Sequence, residues 1–179
     1  MLILQGCNAL SKFRINKLIS TAQAYIPEII SIDTYFIHFI DESEKLNKKE
    51  LAQLDVLLNY GKKYNFSDKY EKLIVIPRFG TISPWSSKAT DIAHNSGLRK
   101  IKRIERGTVY LLEVADEKKS IHQKIKKIYP LIHDRMTETI IESENVAKDL
   151  FTKSEPAPLE NIDILKNGIN GLKKANSNM

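Results

Sequence analysis

The most constraining feature of the sequence is a pattern of strand and helix signals that occurs twice. The first strand signals, at Leu2 and Leu73, lie 71 residues apart. The long strand signals begin at Ile29 and Ile101, which are 72 residues apart. One small sheet with two helices covers only one of its faces, so two such units must pack together to bury the rest. We therefore predict an α+β fold: two pseudo-repeated strand–helix–long bent strand–helix units packed as an intramolecular dimer, followed by a helical linker.

Hydrophobic periodicity and capping residues indicate the elements of the first unit. Ser11 is the expected N-cap of a helix whose apolar residues follow one face, namely Ile15, Leu18, Ile19, Ala22 and Ile26. The run from Ile29 to Ile40 is rich in β-branched and aromatic residues and predicts a strand. Its end is apolar on both faces, so it bends or is covered on two sides. Asn47 and Glu50 have capping-box spacing and open a second helix, which we expect Gly61 to close.

The second unit follows the same order. Ser86 or Ser87 is the expected N-cap of its first helix, and Gly97 is the expected C-terminal glycine. The run from Ile101 to Val114 predicts a long strand. Gly107 falls inside it, so we expect a β-bulge or a tight bend there.

The last third of the chain has helical periodicity. Ile121, Ile125, Ile128 and Ile132 predict an amphipathic helix disturbed at Pro130, and the helical pattern continues from Leu131 to Phe151. Residues 155–158 have the composition of a linker. A final apolar stripe consists of Ile162, Leu165, Ile169 and Leu172. We read this unpaired stripe as a sign that the chain is the start of a longer polypeptide.

These patterns divide the chain into three parts. We predict a first repeat over 1–71, a second repeat with a helical extension over 72–152, and the start of a truncated linker region over 153–179.

The positive charge is concentrated in one stretch. The 179 residues carry 28 basic and 22 acidic side chains, a net charge of +6. Residues 99–127 alone account for this excess, because they hold four acids and ten basic residues. The basic residues are Arg99, Lys100, Lys102, Arg103, Arg106, Lys118, Lys119, Lys124, Lys126 and Lys127. Such a patch fits a nucleic-acid-binding surface, or a solvated face of amphipathic elements, which we favour.

Composition excludes several classes of protein. Cys7 is the only cysteine, so neither an intramolecular disulfide nor a cysteine-rich zinc site can form. No apolar run approaches the roughly 18 residues of a membrane helix, and the N-terminus lacks the features of a signal peptide. We expect a reduced, cytoplasmic protein that does not interact with a membrane.

No catalytic or metal-binding constellation is evident. None of the four histidines, His38, His94, His122 and His133, has a neighbour at metal-ligand spacing. Cys7 has no positioned base nearby in the sequence, so we interpret it as an ordinary buried thiol. Nucleotide-binding glycine motifs are also missing from the sequence. We therefore predict no metal site and no catalytic residue in this chain.

Two stretches are unusually polar. The first, from Arg78 to Asp91, places the only tryptophan, Trp85, at a helix N-terminus that would favour an anion. The alternative is a capped helix start in which Trp85 is a hydrophobic anchor. The second, from His133 to Glu138, is interpreted on its own as an exposed, salt-bridged helix face.

These stretches carry a family resemblance. The segment PRFGTISPWSSKATDIAHNSGL, followed by KIKRIERG and HDRMTET, resembles the N-terminal region of the phosphoribosylformylglycinamidine synthase family, the large single-chain enzymes of purine biosynthesis. The opening GCNALSKFRINKL is similar to the start of the same family. The resemblance extends from Gly6 to the end of the chain.

The resemblance implies a reaction for the full enzyme. Members of the family hydrolyse glutamine, pass the ammonia internally, and use ATP and magnesium to convert formylglycinamide ribonucleotide to the amidine, releasing glutamate, ADP and phosphate. The N-terminal domain in this family is similar to a dimer of the small accessory subunit of multi-chain synthases. It is structural, so the resemblance implies a chain that is inactive alone, holds no cofactor, and has the synthetase and glutaminase domains of the same polypeptide as its partners.

The resemblance also marks candidate residues for interdomain or near-active-site contact. They are Ser83, Trp85, Ser86, Ser87, Lys88, Asp91, His133, Asp134, Arg135 and Glu138. Two other functions remain open: a small nucleic-acid-binding module that uses residues 99–127, and a freestanding accessory subunit of a multi-chain synthase. We rank both below the family assignment and do not expect nucleic acid to be a partner.

Overall fold

The fold was examined in a computed structural model, which describes residues 1–61, 71–115, 124–152, 158–159 and 161–177. Its strands form one antiparallel sheet in the order β1-β2-β4-β3-β5. The strands are β1 (Leu2–Asn8), β2 (Ile29–Glu42), β3 (Glu71–Pro77), β4 (Ile101–Val114) and β5 (Glu138–Ile141). The main helices are α1 (Lys12–Gln23), α2 (Lys48–Leu58) and α3 (Pro84–Asn95). Shorter helical segments are Lys126–Ile128, Tyr129–Ile132 and Glu144–Phe151, and a C-terminal helix spans Ile164–Ser177.

The two units join side by side through their long strands. β2 and β4 both have 14 residues, and 72 positions separate their first residues, as they separate the first residues of α1 and α3. Phe36 on β2 pairs directly with Thr108 on β4, its own counterpart 72 positions later. A pseudo-twofold axis therefore passes through this pair, and the predicted α+β intramolecular dimer is confirmed.

Helices cover one face of the sheet and a helical segment covers the other. On the helical face, α1 packs over one group of buried residues that includes Ile32 and Leu112, while α2 and α3 pack over another that includes Ile40 and Ile104. On the opposite face, Ala147 and Leu150 of the segment Glu144–Phe151 pack on Ile37, Phe39, Ile74, Ile76 and Val109. β2 is thus covered on two sides near its end, as its sequence predicts.

Some helix ends differ from expectation. The N-cap of α3 is Ser83 and not Ser86 or Ser87, because Pro84 has the fixed φ that suits the first helical position. Gly97 closes α3 with φ +91°, as predicted. The capping box of Asn47 and Glu50 also forms as predicted. Gly61 does not close α2, since that helix ends at Leu58 with Asn59 as the C-cap.

The expected bulge at Gly107 is absent. Gly107 pairs in register with Ile37, and the register shifts between β2 and β4 lie only near the strand ends. A Cβ at this position would lie 2.8 Å from the Val75 carbonyl oxygen and about 3 Å from Ile76. The glycine therefore permits a close approach of strands β3 and β4, and no bend is needed to explain its presence.

The helical pattern predicted from Leu131 to Phe151 is wrong. Residues Glu138–Ile141 instead form β5, which extends the sheet by pairing with β3. Glu144–Phe151 is a 3₁₀ segment that buries Ala147 and Leu150. A spacing of three residues aligns side chains in a 3₁₀ helix as well as in an α-helix, so periodicity did not distinguish them. The β-branched run Thr139–Ile141 completes a sheet edge that a local pattern cannot reveal.

The remaining helical predictions fare differently. Ile121 and the linker residues 155–157 lie outside the described part of the chain. The C-terminal helix forms with a kink at Gly168, and the apolar stripe on it is solvent-exposed. No helix in the described ranges is long and apolar enough to cross a membrane.

Candidate functional site

The first polar stretch builds an internally satisfied helix N-terminus. The Ser83 hydroxyl accepts a hydrogen bond from the Ser86 backbone N–H at 3.0 Å and donates one to Glu105 Oε2 at 2.8 Å. The Ser83 backbone N–H donates to Glu105 Oε1 at 3.3 Å. An anion does occupy this helix start, as the sequence indicates, but it is a carboxylate of the same chain.

Glu105 links the start of α3 to the other face of the sheet. Its side chain is fully buried and forms an ion pair of 2.9 Å with Arg103. Arg103 also donates hydrogen bonds to the carbonyl oxygens of Thr81, at 3.0 Å, and Leu150, at 2.8 Å. Its guanidinium lies 5.2 Å from the ring centroid of Phe151. One buried ion pair thus ties the loop before α3 to the segment Glu144–Phe151.

A second arginine lies among aromatic rings on the helical face. The Arg106 guanidinium carbon is 4.2 Å from the ring centroid of Phe36 and 4.6 Å from that of Trp85. Arg106 Nη1 donates a hydrogen bond to the Tyr60 hydroxyl at 3.3 Å. These contacts fix the plane of the guanidinium, and Trp85 is a packed anchor as well as a partner of this cation.

His38 lies beneath this group. Its side chain is fully buried, and its Nε2 is 2.9 Å from the Tyr60 hydroxyl. Burial and the positive charge of Arg106 lower the pKa of His38 from 6.5 to about 4, so the ring is neutral at pH 7. Because the Tyr60 oxygen accepts from Arg106, it can donate its own proton to a neutral His38 Nε2. We refer to Phe36, His38, Tyr60, Trp85 and Arg106 together as the arginine cluster.

An apolar groove adjoins the arginine cluster between α2 and α3. It has a volume of about 310 Å³. Its lining consists of Leu54, Leu57, Leu58, Tyr60, Trp85, Lys88, Ala89, Ile92, Ala93 and Ile104. Tyr60 and Trp85 belong to both features, and Lys88 is the only charged residue of this lining within the described ranges. We call this feature the α2–α3 groove.

The second polar stretch is a turn and not a salt-bridged helix face. His133 Nδ1 lies 2.6 Å from the Tyr129 carbonyl oxygen. Asp134 Oδ1 accepts from the Met136 backbone N–H at 2.8 Å, and Glu138 Oε2 accepts from the Asp134 backbone N–H at 2.9 Å. Acidic side chains that bond to nearby backbone groups in this way favour turns over helices, which explains the wrong prediction.

The fold brings the two polar stretches together. The Arg78 backbone N–H donates to the Thr137 carbonyl at 3.0 Å, and its side chain donates to the Met136 carbonyl at 3.4 Å. Pro77 pairs with Glu138 where β3 meets β5. The loop that starts at Arg78 leads directly into α3, so both stretches border one end of the sheet.

The candidate residues separate into two groups. Ser83, Trp85, Ser86, His133 and Glu138 are at least partly buried. Ser87, Lys88, Asp91, Asp134 and Arg135 are exposed. The side chain of Ser86 is fully buried, and its hydroxyl has no hydrogen-bond partner in the structure.

Sequence reasoning missed the centre of this region. His38, Tyr60, Arg103, Glu105 and Arg106 were not among the candidates for interdomain or near-active-site contact, although the last three stand in the segment KIKRIERG. The sequence did contain a signal. Glu105 and Arg106 are neighbours in a strand whose other residues are largely apolar, so the two charged side chains must point to opposite, covered faces of the sheet.

Four of the eight basic residues that the structure describes within 99–127 make contacts inside the chain. Lys100 pairs with Glu50 at 3.1 Å, and Lys124 pairs with Glu28 at 2.5 Å. Arg103 and Arg106 make the contacts described above, whereas Lys118 and Lys119 lie outside the described residues.

Cys7 is buried, in agreement with its interpretation as a structural thiol. Within the ranges that the structure describes, no group of three or more metal-binding side chains comes together.

The geometry defines a class of protein: a pseudo-duplicated α+β domain with an arginine cluster to which both of its units contribute residues. Residues 35–151 match the family model described as formylglycinamide ribonucleotide amidotransferase N-terminal. The match covers more than half of the 179 residues and contains both polar stretches. The chain belongs to this family and is thus part of a phosphoribosylformylglycinamidine synthase, an enzyme of purine biosynthesis.

Proposed function

We propose that this chain is a structural and coupling domain of the synthase that docks against other domains of the same enzyme and is inactive alone. The observation that carries the proposal is the division of roles within the polar stretches. Their buried groups hold the end of the sheet together, and their exposed groups, such as Ser87, Lys88 and Arg135, remain available to a partner.

The state of the acid–base groups supports the absence of catalysis in this chain. Glu105 is paired with Arg103, and His38 is kept neutral and is bonded to Tyr60. A general acid or base needs access to a substrate and a pKa near the working pH, and these two groups are fully buried.

The complete enzyme would supply the chemistry. Glutamine hydrolysis, ammonia transfer and the ATP- and magnesium-dependent C–N ligation would take place in the synthetase and glutaminase domains. This chain would hold no cofactor, and we propose a cytoplasmic location.

An activity assay tests the proposal. The 179-residue chain should show no ATP hydrolysis above background with formylglycinamide ribonucleotide, magnesium and either glutamine or ammonia. The complete synthase is the positive control under the same conditions. Turnover by the chain alone, at a rate proportional to its concentration, would sink the proposal.

A coupling assay tests the other half. In the complete synthase, Lys88→Glu should lower glutamine-dependent turnover more than ammonia-dependent turnover, because a displaced domain interrupts transfer between active sites and leaves the ligation chemistry intact. Lys102→Glu makes the same charge change at an exposed β4 position outside both polar stretches. Equal losses for both nitrogen sources, or equal effects of the two variants, would contradict the coupling role.

A further inference from the structure

Among the residues that the structure describes, Arg106 is a cation held in place without a carboxylate partner. No ion pair of Arg106 with an acidic side chain occurs among residues 1–61, 71–115 and the later described segments. Its contacts in these ranges are the rings of Phe36 and Trp85 and the hydroxyl of Tyr60. Of the five N–H donors of the guanidinium, only one on Nη1 is used in these contacts.

This arrangement suits a carboxylate. Contacts with two rings and one hydroxyl restrict the Arg106 side chain, so little side-chain entropy is lost when an anion binds to its remaining donors. An arginine fork matches the two oxygens of a carboxylate, and a partly buried position strengthens such a pair compared with one in open water. Arg106 is half-buried, and its neighbour His38 carries no charge at neutral pH.

The α2–α3 groove provides the second half of a binding site. It begins at the two rings shared with the arginine cluster, and its walls are otherwise aliphatic apart from Lys88. Ile92 within the groove is 55% exposed. Exposed apolar side chains around a concave surface favour a partner with apolar side chains of its own.

We propose that the arginine cluster and the α2–α3 groove form one docking site for an apolar segment of the synthase that carries an aspartate or glutamate. Apolar side chains of that segment fill the groove, and its carboxylate binds Arg106 with help from Lys88. The inference rests on the proposed function, since it names the chemistry of the partner that this domain docks against.

A phosphate group fits this site less well. Most of the start of α3 is already used within the chain, because Pro84 has no N–H, the Ser86 N–H bonds to Ser83, and the Ser83 N–H bonds to Glu105. A phosphate would also leave the apolar groove unfilled. A basic segment would be repelled by Arg106 and Lys88.

Zero-length cross-linking of the complete synthase tests the carboxylate. A carbodiimide joins an amine to a carboxylate in direct contact, so Lys88 should be joined to an acidic residue within an apolar stretch outside residues 1–179. The Arg106→Lys variant places an amine where the guanidinium is proposed to bind the carboxylate, and this amine should couple to the same stretch. Coupling of either amine only within residues 1–179 would overturn the proposal.

Hydrogen exchange provides an independent readout and a folding control. Amides of residues 48–58 and 84–95 should exchange at least tenfold more slowly in the complete synthase than in the 179-residue chain. Arg106→Met should remove most of this protection, whereas Lys102→Met should retain it. Thermal unfolding of the 179-residue variants shows whether each remains folded. Protection that survives Arg106→Met in a folded variant would contradict the role of the carboxylate.

Two outcomes separate this inference from the proposed function. Protection of other peptides of the domain without protection of α2 and α3 would refute the docking site and leave the docking function standing. Equal exchange of all peptides from residues 1–152 in both proteins would refute both.

A phosphate titration completes the test. Trp85 is the only tryptophan, so the fluorescence of the 179-residue chain reports directly on the site. Inorganic phosphate should leave it unchanged up to millimolar concentrations. A saturable change that Arg106→Met removes would identify a phosphate site and overturn the proposal.

Discussion

The two units of the sheet share a backbone and differ in chemistry. At three positions related by the 72-residue offset, the first unit carries Ser31, Asp33 and Thr34. The second carries Arg103, Glu105 and Arg106. In the first unit two hydroxyl groups make single hydrogen bonds: Thr34 accepts from the Leu10 N–H at 3.1 Å, and Ser31 donates to Glu113 at 2.8 Å. In the second, charged groups tie separate segments together and hold one guanidinium against aromatic rings. The backbone of the two units is thus pseudo-symmetric, whereas their polar side chains are not.

The largest difference between the units should appear on breaking the buried ion pair. Glu105→Leu leaves Arg103 without its carboxylate and removes the acceptor of Ser83, so we expect a loss of about 4 kcal/mol in the free energy of unfolding. Asp33→Leu, at the equivalent position, should cost less than about 1 kcal/mol because Asp33 is only partly buried. Urea denaturation followed by circular dichroism measures both.

A double variant sharpens this prediction. Arg103→Met combined with Glu105→Leu should recover at least half of the loss, since no unpaired charge remains buried. A loss for the pair equal to the sum of the two single losses would show that the ion pair is not coupled.

The pair His38 and Tyr110, also related by the offset, should differ in pH dependence. The unfolded chain binds a proton at His38 near pH 6.5, and the folded chain does so only near pH 4. Stability is therefore full above about pH 6.5 and falls by roughly 3 kcal/mol as the pH drops to 4. Burial raises the pKa of Tyr110 to about 12, so it does not titrate in this range.

Denaturation at several pH values checks this expectation. His38→Gln should flatten the slope between pH 6.5 and 4.5, and Tyr110→Phe should leave it unchanged. Glu28 and Glu50 have lowered pKa values, mainly through bonds to Lys124 and to the Asn47 backbone, and so act below about pH 4.5. An unaltered slope in His38→Gln would assign the dependence to other groups.

The contact between β3 and β4 at Gly107 should be intolerant of one methyl group. Gly107→Ala directs a Cβ to within 2.8 Å of the Val75 carbonyl oxygen, so we expect a loss of about 2 kcal/mol. Gly97→Ala meets no atom within 4 Å and should cost about 1 kcal/mol through its positive φ alone. Thermal unfolding ranks the two, and a smaller effect at Gly107 would mean that the strands separate at little cost.

The smallest expected difference is between the two helix caps. Ser83→Ala removes a cap bond and the bond to Glu105, and we expect a loss of about 1.5 kcal/mol. Ser11→Ala removes only an exposed bond of 3.4 Å and should cost about 0.5 kcal/mol. Equal losses in chemical denaturation would show that Glu105 does not add to the second cap.

Much of the fold could be predicted because its signals are local. The long strands, the Ser11 cap, the capping box of Asn47 and the closing Gly97 each depend on residues within a few positions of one another. β5 could not be predicted, since its four residues become a strand only beside β3, more than 60 positions earlier. The requirement for glycine at position 107 is equally non-local, because it comes from the close approach of the Val75 carbonyl oxygen.

The site was predicted only in part, for the same reason. Trp85 and Lys88 stand in a conspicuous segment, whereas His38 and Tyr60 come from strands and loops that are distant in sequence and meet Arg106 only in three dimensions. The identity of the N-cap shows the limit of local reasoning, because Ser83 was preferred over Ser86 through Pro84 and through Glu105, 22 positions away.

The pairing of β2 with β4 also sets the order of events during synthesis. β2 has 14 residues, many of them apolar, and the first residue of its neighbour β4 follows 72 positions after its own. At ribosomal rates of about 5–20 residues per second, the edge of β2 that pairs with β4 is without its partner for roughly 4–14 seconds. Unpaired edges of this kind promote association with other chains. The feature that gives the domain its symmetry is therefore also its main aggregation hazard on the ribosome, where chaperones have their best opportunity to act.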